Sequence, residues 1–251
     1  MGLLTAEQIE SYNKNGFLIL KNFFDNTTIQ ACIDEIKWFM EEQAKFSGLT
    51  PPDNLNDLIK MVMGQETTKR SFAYDHVKLI RSGRLIEYSE EMYELMQELG
   101  FIKPIGLEVP SIRFDMKGEE QFLTKNHQDV RSIRTNKCIT VWIPLTKMDD
   151  QHGTINVYPK TFEMGLVEHN LIEGHIEFPK EKLEGYECIQ VDADLCDLVL
   201  MNSLNVHSSY PNKSDQVKVN FQFFYNDFAS LVPDKKYLDL NKIPDYKDSL
   251  K

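Results

Sequence analysis

The sequence predicts an α+β fold in which helices come first and a single, mainly β core follows. Two observations support this fold class. Apolar residues recur at helical spacing through most of the N-terminal part, and from about residue 105 the pattern changes to short runs separated by turn residues. Helices followed by a series of short strands are typical of an α+β domain, and the regular turns indicate a sandwich or barrel.

The N-terminal part is predicted to be mainly helical. Thr5 and Gln8 have the spacing of a capping box at the start of the first helix. The predicted elements are this helix, which ends at Gly16, a strand over 17–24, a second helix that begins near residue 25, and further helices over 53–100.

The β core shows its period of two most clearly at 217–223. There, apolar side chains alternate with Lys218, Asn220 and Gln222, so one face of the strand is polar. Such a face points either to solvent or into a functional lumen, and the pattern alone favours a solvent-facing Lys218. Strands are predicted at 109–116, 121–126, 138–145, 153–158, 187–191, 197–202 and 217–226.

We expect residues 1–251 to form one domain. Its helical part covers about 1–104, its β core covers about 105–230, and a polar surface tail follows at 231–251. The sequence contains no internal repeat and no low-complexity tract, and it leaves the oligomeric state open.

Composition narrows the classes of partner. The chain has 28 Lys and Arg against 39 Asp and Glu, which gives a net charge of −11. This acidic balance argues against nucleic acid and anionic membranes. The sequence contains no run of about 18 apolar residues, so no membrane span is predicted. The N-terminus does not have the pattern of a secretory signal.

The four cysteines form no C-x-x-C pair, which favours free thiols in a reducing cytoplasm.

Histidine and carboxylate residues are the candidates for chemistry, because the common nucleotide-binding and hydrolase motifs are absent from the sequence. His127 and Asp129 stand two apart at a predicted strand end, so their side chains point the same way. With a distant histidine they make a 2-His-1-carboxylate set, which leaves open positions on Fe(II). His175 and Glu177 have the same form, but only 32 residues separate His175 from His207.

His207 is the favoured distant histidine. It lies 80 residues after His127, just beyond the strand predicted at 197–202, and Lys218 follows eleven residues later. The other histidines are interpreted as ordinary surface or core residues; these are His76, His152, His169 and His175.

Several segments, taken in order, resemble the phytanoyl-CoA dioxygenase family of Fe(II)/2-oxoglutarate oxygenases. His127-Gln128-Asp129 matches the metal motif of that family. The resemblance covers about residues 3–230, and the other matching segments are the opening helix–strand–helix at 4–36, the strand at 140–145, the glycine-containing segment at 153–160 and the segment around the second histidine at 197–218.

The resemblance implies a double-stranded β-helix, the cupin-like jelly roll, with Fe(II) held by His127, Asp129 and His207. It implies 2-oxoglutarate as cosubstrate, bound to the iron through its 2-oxo acid end, and O2 as oxidant. The distal carboxylate of 2-oxoglutarate would meet Lys218, which stands where the family has an arginine. This is a departure, because lysine offers a point charge where arginine grips a carboxylate bidentately.

Three further residues are expected at the cosubstrate. Ser209 and Trp142 match family positions near 2-oxoglutarate, and Arg113 is a candidate cation on a preceding strand. Related halogenases lack the metal-binding carboxylate, so the presence of Asp129 favours hydroxylation, with release of succinate and CO2.

The substrate is expected to be a small and possibly anionic metabolite, such as a phosphonate, a sugar, a sugar-nucleotide or another natural-product intermediate. Arg131, Arg134 and Asn136 follow the metal motif and could hold it, because arginine matches carboxylate and phosphate geometry. Two other classes remain open. One is a non-catalytic jelly-roll protein that binds a metal or a small molecule, and the other is a metal-dependent hydrolase that uses the same His/Asp/His site.

Overall fold

The computed structural model describes residues 2–129, 137–172 and 175–230. Its N-terminal part is helical, as predicted. The helices are α1 (Ala6–Asn15), α2 (Asn26–Phe46), α3 (Leu55–Met63), α4 (Thr67–Val77), α5 (Arg81–Glu87) and α6 (Glu90–Glu98).

The first helix begins and ends as the sequence predicts. The Thr5 side chain accepts a hydrogen bond from the Gln8 amide, and Gln8 accepts one from the Thr5 amide in return. Gly16 ends α1 in the left-handed region, with φ of 64°. Asp25 then caps α2 by accepting from the Thr28 amide. These local signals set where the chain turns from helix to strand and back.

Antiparallel strands are the main elements in the rest of the described chain. They are β1 (Phe17–Leu20), β2 (Pro104–Asp115), β3 (Cys138–Pro144), β4 (Thr154–Tyr158), β5 (Asn170–Ile172), β6 (His175–Glu177), β7 (Ile189–Gln190), β8 (Leu198–Asn202), β9 (Val206–Tyr210) and β10 (Lys218–Asp227). The larger sheet has the order β1-β8-β3-β10-β2, a smaller sheet has the order β7-β4-β9, and β5 pairs with β6. The predicted mainly β core with N-terminal helices is therefore confirmed.

The two faces of the larger sheet have different partners. On β3, Ile139 and Val141 belong to the main apolar core, which also contains buried residues of the helices. The next residue, Trp142, points the other way and packs in a second cluster with Ile155 and Val157 of the smaller sheet. The space between the two sheets is thus separate from the helix-packed core, as a jelly roll requires.

Some predicted elements differ from the structure. The strand predicted at 121–126 is wrong: Glu120–Phe122 forms a single 3₁₀ turn, and the segment after it pairs with β9 through an isolated bridge at His127. Strand β9 was not predicted, because its short and polar sequence has no apolar alternation to indicate a strand. None of the described helices has an apolar stretch long enough to cross a bilayer.

Candidate active site

Three predicted metal ligands meet in the space between the sheets. The ligating atoms of His127, Asp129 and His207 all lie within 4.8 Å of one another. His127 Nε2 lies 3.5 Å from Asp129 Oδ1, and His207 Nε2 lies 3.5 Å from Asp129 Oδ2. Within the described residues this is the cluster that could hold a metal ion.

Backbone hydrogen bonds hold this cluster together. The amide of His127 donates to the carbonyl of His207 at 2.9 Å, and the amide of His207 donates back to His127 at 3.0 Å. The amide of Asp129 donates to the carbonyl of Ser203, which precedes β9, at 2.9 Å. The two imidazoles therefore project from backbone segments that pair at this bridge, and their ring centroids are 4.2 Å apart.

Each imidazole is oriented by a backbone carbonyl. His127 Nδ1 lies 2.8 Å from the carbonyl oxygen of Lys125, and His207 Nδ1 lies 3.0 Å from that of Asn205. Because a carbonyl only accepts, each Nδ1 must carry the proton and donate it. This leaves Nε2 of both rings available to bind a metal, and in both cases Nε2 faces the carboxylate of Asp129.

Side-chain hydrogen bonds fix the carboxylate of Asp129. The Thr140 hydroxyl donates to Asp129 Oδ2 at 2.6 Å, and Thr140 Oγ1 lies 2.9 Å from the Ser203 hydroxyl. The Ser203 hydroxyl in turn lies 3.0 Å from the Cys138 sulfur. Since the Thr140 proton goes to the carboxylate, Thr140 accepts from Ser203, and a buried chain of hydroxyls supports the ligand.

Asp129 and His207 are held in the state that a divalent metal needs. Burial raises the pKa of Asp129, but the nearby imidazoles of His207 and His127 and the Thr140 hydroxyl outweigh it and bring that pKa to about 2. Burial lowers the pKa of His207 to about 4, against the attraction of Asp129. At neutral pH the carboxylate is ionised and the His207 imidazole is neutral, as metal ligation requires.

The cluster opens into a polar cavity of about 210 Å³. Its lining contains the metal-ligand candidates and most of the residues predicted for the cosubstrate. The lining residues are Arg113, Thr124, His127, Asp129, Thr140, Trp142, Ile155, Met201, His207, Ser209, Lys218 and Gln222.

Lys218 lies in this cavity, so the interpretation of a solvent-facing strand lysine is wrong. Only 1% of the surface of Lys218 is exposed, because the polar face of β10 points between the two sheets. The ammonium forms an ion pair with Asp115, its partner in the β2–β10 register, and lies 5.2 Å from the centre of the Trp142 ring. Burial lowers the pKa of Lys218, and the charge of Asp115 opposes that effect.

Arg113 shares the same carboxylate. Its guanidinium donates to Asp115 at 3.2 Å, to the Thr124 hydroxyl at 3.3 Å and to the Phe122 carbonyl at 3.2 Å. Burial raises the pKa of Asp115, but Lys218 and Arg113 outweigh it and hold that pKa below its usual value. Two cations therefore face one anion at this wall, which leaves one positive charge for a ligand.

The other predicted cosubstrate residues also line the cavity. Ser209, on β9, accepts a hydrogen bond from the Thr124 amide at 3.2 Å, and Trp142 is 4% exposed beneath Lys218. The sequence interpretation did not identify Asp115 and Thr140. A period-of-two signal was present for both, because Asp115 stands two after Arg113 and Thr140 stands two before Trp142.

Three remaining histidines have ordinary partners. His76 stacks on Phe72, and His152 Nδ1 contacts Asp149 at 2.8 Å. His169 accepts from the Gln128 amide at 3.1 Å. None of these is in the metal-ligand cluster of the described chain.

Three predicted positions and the side chain of one histidine fall outside the part of the chain that the structure describes. Arg131, Arg134 and Asn136, the candidate substrate residues, lie outside the described residues. The same is true of the side chain of His175, whose backbone is in β6.

Comparison with known proteins identifies the family of the chain. The family model described as phytanoyl-CoA dioxygenase (PhyH) matches residues 12–220. The peroxisomal phytanoyl-CoA dioxygenase of Bos taurus is 22% identical over 231 residues, covering 84% of this chain and 65% of that protein. The chain thus spans slightly less than two thirds of the curated relative's length.

Solved structures share the fold. EctD from S. alaskensis, crystallised with 2-oxoglutarate and 5-hydroxyectoine, has a TM-score of 0.64 at 11% identity, covering 91% of this chain and 78% of that chain. The non-haem α-ketoglutarate-dependent epimerase SnoN from nogalamycin biosynthesis has a TM-score of 0.57 at 13% identity, covering 88% and 81%. At these identities the likeness is one of fold.

Proposed function

This chain belongs to the phytanoyl-CoA dioxygenase family, and we propose that it is an Fe(II)- and 2-oxoglutarate-dependent oxygenase that hydroxylates a small molecule. The observation that carries the proposal is the cluster of His127, Asp129 and His207 at a cavity that also contains Lys218 and Arg113. A cluster of metal ligands beside a positively charged wall suits a metal ion together with an anionic chelator.

The donor set fits Fe(II). Two imidazole nitrogens and one carboxylate make a facial set that leaves positions free for cosubstrate and oxygen. Because Asp129 is ionised and carries a hydrogen bond from Thr140, it can bind the metal without first losing a proton. The Nδ1 contacts of both imidazoles keep Nε2 directed at the same point.

The cavity wall fits 2-oxoglutarate. When bound, the iron and 2-oxoglutarate supply the oxidation, in which O2 converts 2-oxoglutarate to succinate and CO2 and one oxygen atom enters the substrate. Lys218 and Arg113 would hold the distal carboxylate, and the Ser209 hydroxyl would donate to the cosubstrate. Trp142 and the apolar side chains of Ile155 and Met201 line the same space and would help to exclude water once the cosubstrate is bound.

For the substrate we propose a small metabolite, such as a phosphonate, a sugar, a sugar-nucleotide or another natural-product intermediate, and among these we favour an anionic one. Arg131, Arg134 and Asn136 are the candidate residues, on the strength of their position directly after the metal motif. If they bind an anion, replacing both arginines should raise the KM for that substrate while the KM for 2-oxoglutarate stays unchanged. Unchanged turnover on an identified anionic substrate would remove these residues from the proposal.

The decisive experiment measures succinate. Wild-type protein with Fe(II), O2 and 2-oxoglutarate, tested with a broad substrate panel, should release succinate, and Asp129→Ala should not. Asp53→Ala, at an exposed loop position, is the matched control. Iron-loaded wild type that gives no succinate with any substrate would favour a non-catalytic binding protein, and hydrolysis with Zn(II) in the absence of O2 would favour a hydrolase.

A further inference from the structure

One buried carboxamide beside the cavity lining lacks a hydrogen-bond partner in the described part of the chain. Asn220 lies on β10 and is fully buried, and neither its Oδ1 nor its Nδ2 makes a hydrogen bond within the described residues. Buried polar groups are nearly always paired, because an unpaired one loses its hydration without compensation. Two unpaired atoms on one side chain therefore indicate a partner that joins the protein as a ligand.

The register places Asn220 next to polar residues that line the cavity. Side chains alternate along a strand, so Asn220 shares the inward face of β10 with Lys218 and Gln222, both of which line the cavity. Across the sheet its partners are Arg113 on β2 and Pro144 on β3. Asn220 thus lies two residues from Lys218 and opposite Arg113, the two cations that line the wall we assign to the distal carboxylate of 2-oxoglutarate, and its own side chain is buried next to that lining.

The chemistry of that wall calls for a directional donor. The family resemblance puts an arginine at position 218, where a planar fork would give a carboxylate two parallel hydrogen bonds. Lys218 offers a point charge without that geometry, and its ammonium is already paired with Asp115. An amide N–H two residues along the same face supplies the direction that lysine lacks.

We propose that Asn220 binds the distal carboxylate of 2-oxoglutarate together with Lys218, and that this pair replaces a single arginine. In this arrangement Nδ2 donates to the carboxylate, and Oδ1 accepts from one of the flanking cations. The inference rests on the proposed function, since it assigns a residue to the cosubstrate of that reaction.

The test is equilibrium binding without turnover. Anaerobic titration of the Fe(II)-loaded protein compares 2-oxoglutarate with 2-oxobutyrate, which keeps the metal-chelating end and lacks the distal carboxylate. Asn220→Leu should weaken 2-oxoglutarate binding by about tenfold or more, which corresponds to the loss of one hydrogen bond to a charged group. It should leave 2-oxobutyrate binding unchanged, and the unfolding midpoint should not fall, because leucine needs no hydrogen bond.

A rescue variant sharpens the test. Asn220→Ala should lose affinity for 2-oxoglutarate, and the double variant Lys218→Arg/Asn220→Ala should recover it, since an arginine fork then has room beside the small side chain. If Asn220→Leu does not fold, the alanine variant and its rescue still decide the question.

Each outcome has a distinct meaning. Equal binding of 2-oxoglutarate by wild type and both Asn220 variants would overturn the role of Asn220 while the proposed function stands. An equal loss for both 2-oxo acids would also overturn it, because the residue would then act on the metal end or on the fold. Failure of wild type to bind either acid would overturn the proposed function, and the inference with it.

Discussion

At the scale of single residues, the metal-ligand candidates depend on neighbours that would never touch the metal. Thr140 donates to Asp129 Oδ2, and the same oxygen lies 3.5 Å from His207 Nε2. Asp129 Oδ1 faces the other imidazole, with His127 Nε2 at 3.5 Å. Thr140 therefore fixes the rotation of the carboxylate and leaves one oxygen available for a metal.

Removal of the Thr140 hydroxyl should weaken metal binding. Thr140→Val keeps the shape of the side chain and removes its donor, so we expect affinity for Fe(II), or for Co(II) as a probe, to fall by about 10- to 100-fold. Thr140→Ser keeps the hydroxyl and should bind nearly as wild type does. The measurement is a metal titration followed by calorimetry, and equal affinities for the valine and serine variants would contradict the role of Thr140.

The ion pair behind the cavity should govern stability. Asp115→Asn leaves the ammonium of Lys218 buried without its anion, so we expect unfolding to become easier by about 3–5 kcal/mol. Asp215 pairs with Lys117 at 3.3 Å, but both side chains are exposed, and Asp215→Asn should give no measurable change. Urea unfolding of the two variants checks this, and similar midpoints for both would show that Asp115 is not needed to compensate Lys218.

The sequence indicated some site residues and missed others. The missed residues are those whose role depends on a partner far away along the chain. His127 and Asp129 form a local motif, and Lys218 stands at a fixed distance from His207, so a single sequence can indicate them. The roles of Asp115 and Asn220 depend on the register that sets β2 against β10, where Lys218 meets Asp115 and Asn220 meets Arg113. Strand periodicity indicates which face a residue takes, but it does not say which distant residue lies opposite.

At the scale of elements, the turn between α1 and β1 supports the strand that carries His207. The carbonyl of Gly16 accepts from the amide of Asn202 at 2.7 Å and from the side chain of Asn205 at 2.7 Å. The backbone carbonyl of Asn205 in turn accepts from Nδ1 of His207. The end of the first helix is thus linked through one asparagine to the orientation of a metal-ligand candidate, a link that the capping signals alone do not reveal.

Substitution of Gly16 should disturb this link. A Cβ at this position would lie 2.5 Å from the Phe162 ring and 2.8 Å from Asn205 Nδ2, in a residue with φ of +64°. We expect Gly16→Ala to lower the free energy of unfolding by about 2–4 kcal/mol through overpacking and backbone strain. Gly48 has a φ of +74°, and a Cβ there would meet nothing within 4 Å, so Gly48→Ala should cost only the strain, about 1–2 kcal/mol. If denaturant unfolding gives the same loss of free energy for Gly16→Ala and Gly48→Ala, the Phe162 and Asn205 side chains must move aside to accommodate the added methyl group.

At the scale of the whole molecule, the net charge of the chain and the charge of the cavity wall have opposite effects on an anionic cosubstrate. The chain carries a net charge of −11, which repels a dianion such as 2-oxoglutarate at long range. The cavity wall compensates locally, because Lys218 and Arg113 face the single carboxylate of Asp115. The helices cover the opposite face of the larger sheet, so this charged wall is sealed on its far side by an apolar core.

A metal ion should therefore stabilise the whole fold and prepare it for the cosubstrate. Its ligands come from two segments 80 residues apart, so a bound ion cross-links the loop before β3 to β9. At a free metal concentration of 100 times the Kd, the gain is about 2.7 kcal/mol, or roughly 5–10 °C in Tm for a chain of this size. Thermal unfolding with Co(II) should show this shift in wild type and lose it in His127→Ala.

Added 2-oxoglutarate should raise the Tm further only when Co(II) is present, because the 2-oxo acid end needs the metal. A shift of equal size in His127→Ala would mean that the ion binds elsewhere, and a 2-oxoglutarate effect without metal would mean that the charged wall alone binds it.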